Sequence, residues 1–196
     1  ALVKNRKVAI IGCGAIGAAV ARLLAQGGVG EQIFIDGDCL TTANVSRHSL
    51  GTTYVGFNKA YALQVHLRRE FPHLTFEHTF QRRFESLTTK DLEKLARADL
   101  IISAGIDFDG EAALDHWRRN LTRPPALLST WAEAYAAAGH AVLVYGKASI
   151  LAAFDGEERP NFRLTDWADE AGVLFIEAGC GNTFQPHGVI DLHPIV

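Results

Sequence analysis

The chain has few cysteines, no methionine and no long apolar run. Its three cysteines, Cys13, Cys39 and Cys180, stand far apart and form no C-x-x-C pair. That spacing argues against a zinc knuckle and against a disulfide framework, so a reducing cytoplasm is the expected compartment. No apolar segment reaches the roughly 18 residues that a membrane-spanning helix requires. The N-terminus also lacks the layout of a signal peptide.

Excess charge of one sign is missing as well. The chain has 19 basic and 22 acidic residues and a formal net charge of −3, which gives no reason to expect nucleic acid or an anionic membrane as a partner. The eight histidines are unclustered and show no metal spacing, so we expect them to be structural. At 196 residues and 48% hydrophobic content, the chain fits one globular α/β domain with a substantial core.

The lack of methionine concerns whether the sequence is a whole protein or a domain of a longer one. The sequence has no initiator residue and enters its first predicted strand almost at once. We therefore expect residues 1–196 to be a single nucleotide-binding domain excised from a longer protein.

The segment from Lys7 to Asp38 carries the clearest local pattern. It is predicted to contain a buried strand, a glycine turn, an alanine-rich helix and a second buried strand. The predicted strands are Val8 to Ile11 and Ile33 to Ile35, and the helix runs from about Ala15 to Gln26. Together they form a unit of roughly 30 residues, the size of a mononucleotide-binding half of a doubly wound sheet.

The turn contains the pattern G-x-G-x-x-G, with glycines at Gly12, Gly14 and Gly17. Such glycines allow a tight turn, close approach of the backbone to phosphate, and close packing of helix on strand. Asp36 follows 24 residues after Gly12, near the spacing at which an acid meets ribose hydroxyls. Nicotinamide, flavin and ATP sites share this pattern, and taken alone it favours a dehydrogenase.

Further elements are predicted along the rest of the chain. A helix is expected at Lys59 to Glu70, and a second one follows an N-cap signal at Thr88-Thr89-Lys90-Asp91 and reaches Ala98. Strands are expected at Leu74 to Phe80, Leu100 to Ala104, Ala126 to Trp131, Gly139 to Tyr145 and Val173 to Ile176. The alternation of strands and helices predicts an α/β fold. We expect a Rossmann-like, doubly wound, mainly parallel sheet with late antiparallel strands.

A second set of motifs follows the first unit. Asp36-Gly37-Asp38 precedes Asn44-Val45-Ser46-Arg47 and Gly56-Phe57-Asn58-Lys59. In order and spacing, these motifs and the glycine turn resemble the activating-enzyme superfamily of ThiF, MoeB and the ubiquitin-activating enzymes. The agreement extends over about 60 residues, with weaker similarity to about residue 145.

The resemblance implies an ATP-dependent adenylyltransferase domain of the ThiF type. It would activate the C-terminal carboxylate of a ubiquitin-like or sulfur-carrier protein, and it would be a homodimer. Because charge accumulates on the leaving pyrophosphate, Arg47 and Lys59 suit the catalytic role, and Asn44 would contact phosphate or polarise the carboxylate. The implied nucleotide-binding residues are Gly12, Gly14, Ile16, Gly17, Asp36 and Asp38.

The resemblance also implies a magnesium ion, which bridges phosphates and needs a carboxylate. The acid should follow the strand Leu100 to Ala104. Counting forward from Asp99 gives Asp107, whereas counting back from Gly139 gives Asp109. Both are candidate metal ligands, with Asp107 ranked first, and either could instead cap the next helix.

The chain departs from the family in its cysteines. Many members carry a catalytic cysteine in a crossover segment, but Ile150 to Asp166 contains none, and Cys180 is the one thiol in the C-terminal third. The sequence thus supports adenylate formation and leaves the thioester step without a nucleophile in the expected place. We expect packing to explain Cys13 and Cys39.

The sequence leaves two other functions open. One is an NAD-dependent Rossmann oxidoreductase, in which Arg47 and Lys59 are incidental. The other is a non-catalytic ThiF-like module that keeps the fold for docking or dimerisation.

Overall fold

The computed structural model of the chain describes residues 3–156, together with residues 160–162, 164, 175–176 and 183–184. Its main sheet contains β1 (Lys7–Ile11), β2 (Glu31–Ile35), β3 (Thr79–Phe80), β4 (Leu100–Ala104), β5 (Ala126–Ala132) and β6 (Gly139–Val144). The spatial order is β3-β2-β1-β4-β5-β6. The first five strands run parallel, and β6 pairs antiparallel with β5. A separate antiparallel pair is formed by β7 (Phe175–Ile176) and β8 (Thr183–Phe184).

In the part of the chain that the structure describes, four α-helices cover the two faces of the main sheet. They are α1 (Ala15–Gln26), α2 (Lys59–Glu70), α3 (Thr89–Leu95) and α4 (Phe108–Asn120). Short 3₁₀ helices occur at Thr42–Asn44, Thr52–Tyr54, Phe84–Ser86, Ala134–Ala136 and Ile150–Ala153. Successive residues of β1 enter different clusters, Val8 and Ile10 with α1 and α2, and Ala9 and Ile11 with α3 and α4. This alternation confirms the doubly wound α/β fold.

The helices are modest in length. Among the residues that the structure describes, no helix combines the length and apolar character that a membrane crossing requires.

The predicted strand Leu74 to Phe80 is shorter in the structure. β3 contains Thr79 and Phe80, and Thr75 makes an isolated bridge to Glu31. Phe76 and Phe80 are four residues apart and would share one face of a regular strand. In the structure they enter cores on opposite faces of the sheet, so the backbone between them is not a continuous strand. The helix predicted to reach Ala98 likewise ends at Leu95.

A buried arginine fastens the end of α4. Arg118 is fully buried, and its Nη1 donates to the carbonyls of Pro125 and Gly146 at 3.2 and 2.7 Å. Its Nη2 lies 3.5 Å from the Asp115 carboxylate. These partners offset the cost of burying the charge. They hold α4, whose N-cap residue is Asp107 at the carboxyl edge of the sheet.

Candidate functional site

A cleft of about 760 Å³ lies at the carboxyl ends of β1, β2 and β4. Its volume is in the range of small-molecule sites, and its place at the switch in strand order is where such sheets bind ligands. The lining includes eight residues singled out from the sequence: Gly12, Gly14, Asp36, Asp38, Asn44, Arg47, Lys59 and Asp107. Three others lie outside that lining: Ile16, Gly17 and Asp109.

The glycine turn is shaped by close backbone packing. Gly12 has φ of 85°, and a Cβ added there would lie 2.6 Å from the Ala104 carbonyl oxygen. A Cβ on Gly17 would lie 1.9 Å from the Gly12 carbonyl oxygen. At Gly14, no atom of the described residues comes within 4 Å of such a Cβ. The fold itself therefore requires Gly12 and Gly17, whereas Gly14 leaves open space facing the cleft.

The N-terminus of α1 is suited to an anion. Within the described part of the chain, no side chain caps this helix, and its first turn carries no acid. Its first N–H groups and the positive end of its dipole therefore remain available. This arrangement, with the open space at Gly14, fits the phosphates of a nucleotide.

Asp36 is held in one orientation at the end of β2. Its Oδ2 accepts from the Cys13 N–H and its Oδ1 from the Asp38 N–H, both at 2.7 Å. Burial raises the pKa of the Asp36 carboxyl, and these hydrogen bonds and the Lys59 cation partly offset the rise. Each carboxylate oxygen has a further lone pair that can accept from a hydroxyl. The geometry fits the ribose contact expected from the sequence.

Lys59 is tied to the end of β2. Its Nζ lies 3.2 Å from Asp38 Oδ2, and its backbone N–H donates to the Asp38 carbonyl at 2.9 Å. Asn58 reinforces the junction: its Nδ2 donates to the carbonyls of Asp36 and Asp38 at 2.8 and 3.1 Å, and its Oδ1 caps α2 through the Tyr61 N–H. The motifs give Asn58 no role of its own, although an Asn just before a predicted helix indicates a cap.

Asn44 and Arg47 lie on one tight segment of the loop between β2 and α2. Asn44 Oδ1 accepts from the Thr41 N–H at 3.1 Å. The Arg47 N–H donates to the Asn44 carbonyl at 3.0 Å, and its Nη1 donates to the Ala43 carbonyl at 3.3 Å. The segment thus holds both side chains beside the cleft that Lys59 also lines.

His48 fastens this loop to the glycine turn. Its Nδ1 accepts from the Leu50 N–H at 3.1 Å, so its Nε2 carries the proton and donates to the Cys13 carbonyl at 2.7 Å. Burial lowers the pKa of the His48 imidazole to about 4, which keeps it neutral at pH 7. The histidine is structural, as expected. Its partner is 35 residues away, and no local signal identifies such a contact.

Asp107 follows β4 and faces the cleft. Its Oδ1 accepts from the Gly110 N–H at 2.9 Å and so caps α4, and its Oδ2 lies 3.4 Å from Arg83 Nη1. Among the described residues, no group of three or more His, Cys, Asp or Glu side chains is arranged to hold a metal ion. One carboxylate beside a glycine turn suited to phosphate fits magnesium, which is commonly held by one or two carboxylates and substrate phosphates. Asp109 lies exposed in the first turn of α4.

The cysteines differ from one another. Cys13 is buried, and burial raises the pKa of its thiol, in agreement with the packing role expected for it. The same expectation is wrong for Cys39, which is exposed and lines the cleft. Cys180 lies outside the described residues.

Two comparisons with known sequences bear on this cleft. A family model described as the ThiF family matches residues 2–165. The ATP-dependent ubiquitin transferase-like protein Cap2 of Pseudomonas aeruginosa is 32% identical over 189 residues, which is 93% of this chain and 32% of Cap2. Ubiquitin-like modifier-activating enzyme 5 of Mus musculus is 26% identical over 122 residues, which is 58% of this chain and 30% of that protein.

Solved structures give a similar result. A crystal structure of E. coli MccB with AMPCPP and MccA matches with a TM-score of 0.58 and 25% identity, covering 66% of this chain and 37% of that chain. A crystal structure of E. coli MccB with ATP matches with a TM-score of 0.55 and 26% identity, covering 68% of this chain and 38% of that chain. The chain therefore spans about a third of the length of these relatives.

Proposed function

This chain belongs to the ThiF family, and we propose that it is an adenylyltransferase domain that uses ATP and magnesium to activate the C-terminal carboxylate of a ubiquitin-like or sulfur-carrier protein. An oxygen of that carboxylate attacks the α-phosphorus, the bond to the bridging oxygen breaks, and pyrophosphate leaves. The product is an acyl adenylate. Relatives named as ubiquitin transferase-like and modifier-activating proteins, and MccB structures with ATP and MccA, support this reaction class.

The observation that carries the proposal is the convergence of opposite charges around one uncapped helix N-terminus. Asp36 suits the ribose, and the end of α1 suits a phosphate. Arg47 and Lys59 line the same cleft. Charge stabilisation and positioning supply most of the rate enhancement in nucleotidyl transfer. In an NAD site no pyrophosphate leaves, so these two cations would have no charge on a leaving group to stabilise.

The metal has a defined place in the proposal. Asp107 would hold magnesium, which would neutralise charge on the phosphates as pyrophosphate leaves. The Asp107 carboxylate is already oriented by its cap on α4. Asn44 would contact the phosphate or polarise the attacking carboxylate.

We also propose that the domain acts as a homodimer in a reducing cytoplasm. β6 is the edge strand of the described main sheet. Leu143 in β6 and Tyr145 just after it have side chains that are 45% and 67% exposed. An edge strand with apolar side chains is suited to pairing with a second copy. Light scattering on the wild type and on Leu143→Lys tests this: a dimer that becomes a monomer supports it, and a monomeric wild type contradicts it.

Exchange of labelled pyrophosphate into ATP tests the proposed reaction. We expect exchange only when a ubiquitin-like or sulfur-carrier protein with an intact C-terminus is added. Arg47→Ala should slow exchange by about 100-fold or more, because the charge on the leaving pyrophosphate loses a partner. Arg68→Ala on α2 is a matched control, since that exposed arginine lies outside the cleft lining. Exchange that is unchanged in Arg47→Ala would refute the proposed role.

A further inference from the structure

Arg83 is a cleft residue that the motifs do not include. It follows β3, the strand at one end of the main sheet, and it lines the same cleft as Arg47 and Lys59. Its Nη1 lies 3.4 Å from Oδ2 of Asp107, which follows β4. In the sheet, β2 and β1 separate these two strands. The ion pair therefore joins loops from opposite sides of the glycine turn.

The stem of Arg83 is fixed at the ribose end of the cleft. A Cβ added to Gly37 would lie 3.0 Å from both Cγ and the backbone N of Arg83. Gly37 stands between Asp36 and Asp38, so its lack of a side chain lets the Arg83 stem pack against this turn. The guanidinium meanwhile reaches Asp107, the candidate magnesium ligand. Arg83 thus extends along the cleft from the proposed ribose contact to the proposed metal contact.

The pair with Asp107 is easily exchanged. The two side chains are 68% and 60% exposed and their charged atoms are 3.4 Å apart, and such pairs contribute little to stability. The buried Arg118 offers a contrast, because three backbone carbonyls hold its guanidinium. Arg83 can therefore leave its partner, whereas Arg118 is held in place.

The charge in the cleft favours such a release. Lys59 is already paired with Asp38. Lys59 and Arg47 together therefore do not balance the negative charge of a triphosphate. Magnesium and Arg83 would compete for the same carboxylate. We propose that Arg83 is a further nucleotide-binding residue, which Asp107 holds until magnesium takes that carboxylate and the guanidinium binds the phosphates. A guanidinium is suited to phosphate because it donates two parallel hydrogen bonds.

ATP binding without metal tests this proposal, which rests on the proposed ATP site. Calorimetric titrations in EDTA would compare the wild-type chain, Asp107→Asn, Arg83→Ala and the double variant. Asn caps helices as well as Asp does, so α4 should keep its start. We expect Asp107→Asn to bind ATP about fivefold more tightly than the wild type, because Arg83 is released. In the Arg83→Ala background, Asp107→Asn should increase ATP affinity by less than about twofold.

Simple repulsion between Asp107 and phosphate predicts the opposite pattern. Without Arg83 the carboxylate has lost its cationic partner. Asp107→Asn would then increase ATP affinity at least as much in the Arg83→Ala background as in the wild type. That result would overturn the proposal. Arg82→Ala is the matched control, since Arg82 is exposed, adjacent and outside the cleft lining. If Arg82→Ala changes ATP affinity as much as Arg83→Ala does, the effect is one of net charge and the proposal fails.

A titration with magnesium present separates this inference from the proposed function. We expect Arg83→Ala to weaken ATP binding about fivefold. ATP binding that depends on Arg47 but is indifferent to Arg83 would overturn this inference alone. No ATP binding by the wild type, with or without magnesium, would overturn the proposed function and this inference together.

Discussion

The glycine turn and the loop between β2 and α2 both face the cleft, but they are held by different interactions. In the turn, backbone atoms pack so closely that a Cβ on Gly17 would lie 1.9 Å from a carbonyl oxygen. In the loop, side chains of His48 and Asn58 bond to distant carbonyls. The turn therefore excludes a side chain at Gly12 and Gly17, whereas the loop depends on a few hydrogen bonds that can be removed singly.

The largest expected effect is in the turn. Gly17→Ala should lower the free energy of unfolding by more than about 3 kcal/mol or prevent folding, because its methyl group meets the Gly12 carbonyl, which the β1 connection fixes. Urea denaturation followed by circular dichroism measures this.

Gly14→Ala is the matched control within the same turn. Its methyl group would meet no described atom within 4 Å, and its φ of −75° and ψ of −155° are open to alanine. The free energy of unfolding should change by less than about 1 kcal/mol. A loss as large as that of Gly17→Ala would show that the turn does not tolerate side chains for some reason other than packing.

In the loop, the largest expected effect depends on pH. Burial lowers the pKa of His48 to about 4 from 6.5, so the unfolded chain binds the proton more tightly. Stability from this residue is complete above pH 6.5 and is lost as pH falls toward 4. The loss should reach about 3 kcal/mol. Denaturation at pH 7 and at pH 4.5 measures it.

His48→Gln separates this effect from the titration of acids. Gln does not titrate, so the variant should be less stable than the wild type at pH 7 and should lose less stability on acidification. If wild type and variant lose the same amount, His48 does not carry the pH dependence.

Removing the other loop contact should have a smaller effect. Asn58→Ala loses both bonds to the carbonyls of Asp36 and Asp38 and the cap on α2, and we expect a cost of about 1–2 kcal/mol. Asn58→Ser keeps a capping oxygen and should recover part of it. Thermal melts of both variants test this, and equal losses in the two would show that the cap contributes nothing.

The smallest expected effect is a difference in thiol reactivity between one cysteine of the turn and one of the loop. Cys13 is buried within the turn with a raised pKa, whereas Cys39 is exposed in the loop. Iodoacetamide at pH 7.5 should therefore modify Cys39 and spare Cys13 in the native chain, as mass spectrometry of the peptides would report. Bound ATP should slow the reaction of Cys39. Equal modification of both thiols would show that the turn opens readily.

The same difference explains what could be predicted from the sequence. Gly12 and Gly17 are visible as glycines because backbone packing requires them, and α1, α2 and β4 have the predicted bounds. Hydrogen bonds between residues far apart leave no local pattern. His48 bonds to a carbonyl 35 residues away, and Arg83 meets Asp107 across two strands. These contacts required the tertiary structure.

Two of the errors have a common physical origin. The alternation around Phe76 and Phe80 indicates a strand, but the residues are buried on opposite faces of the sheet. Cysteine is a small apolar residue type that usually packs in a core, but Cys39 follows the end of β2, where the chain turns into the cleft. Local patterns report that a residue is apolar and do not report which surface covers it.

Calorimetric titration of ATP into the chain, with and without magnesium and with NAD as the control, shows whether the cleft is an ATP site. We expect ATP binding that magnesium strengthens and that Arg47→Ala weakens at least tenfold, with no comparable binding of NAD. NAD binding that is independent of magnesium and unaffected by Arg47→Ala would contradict it.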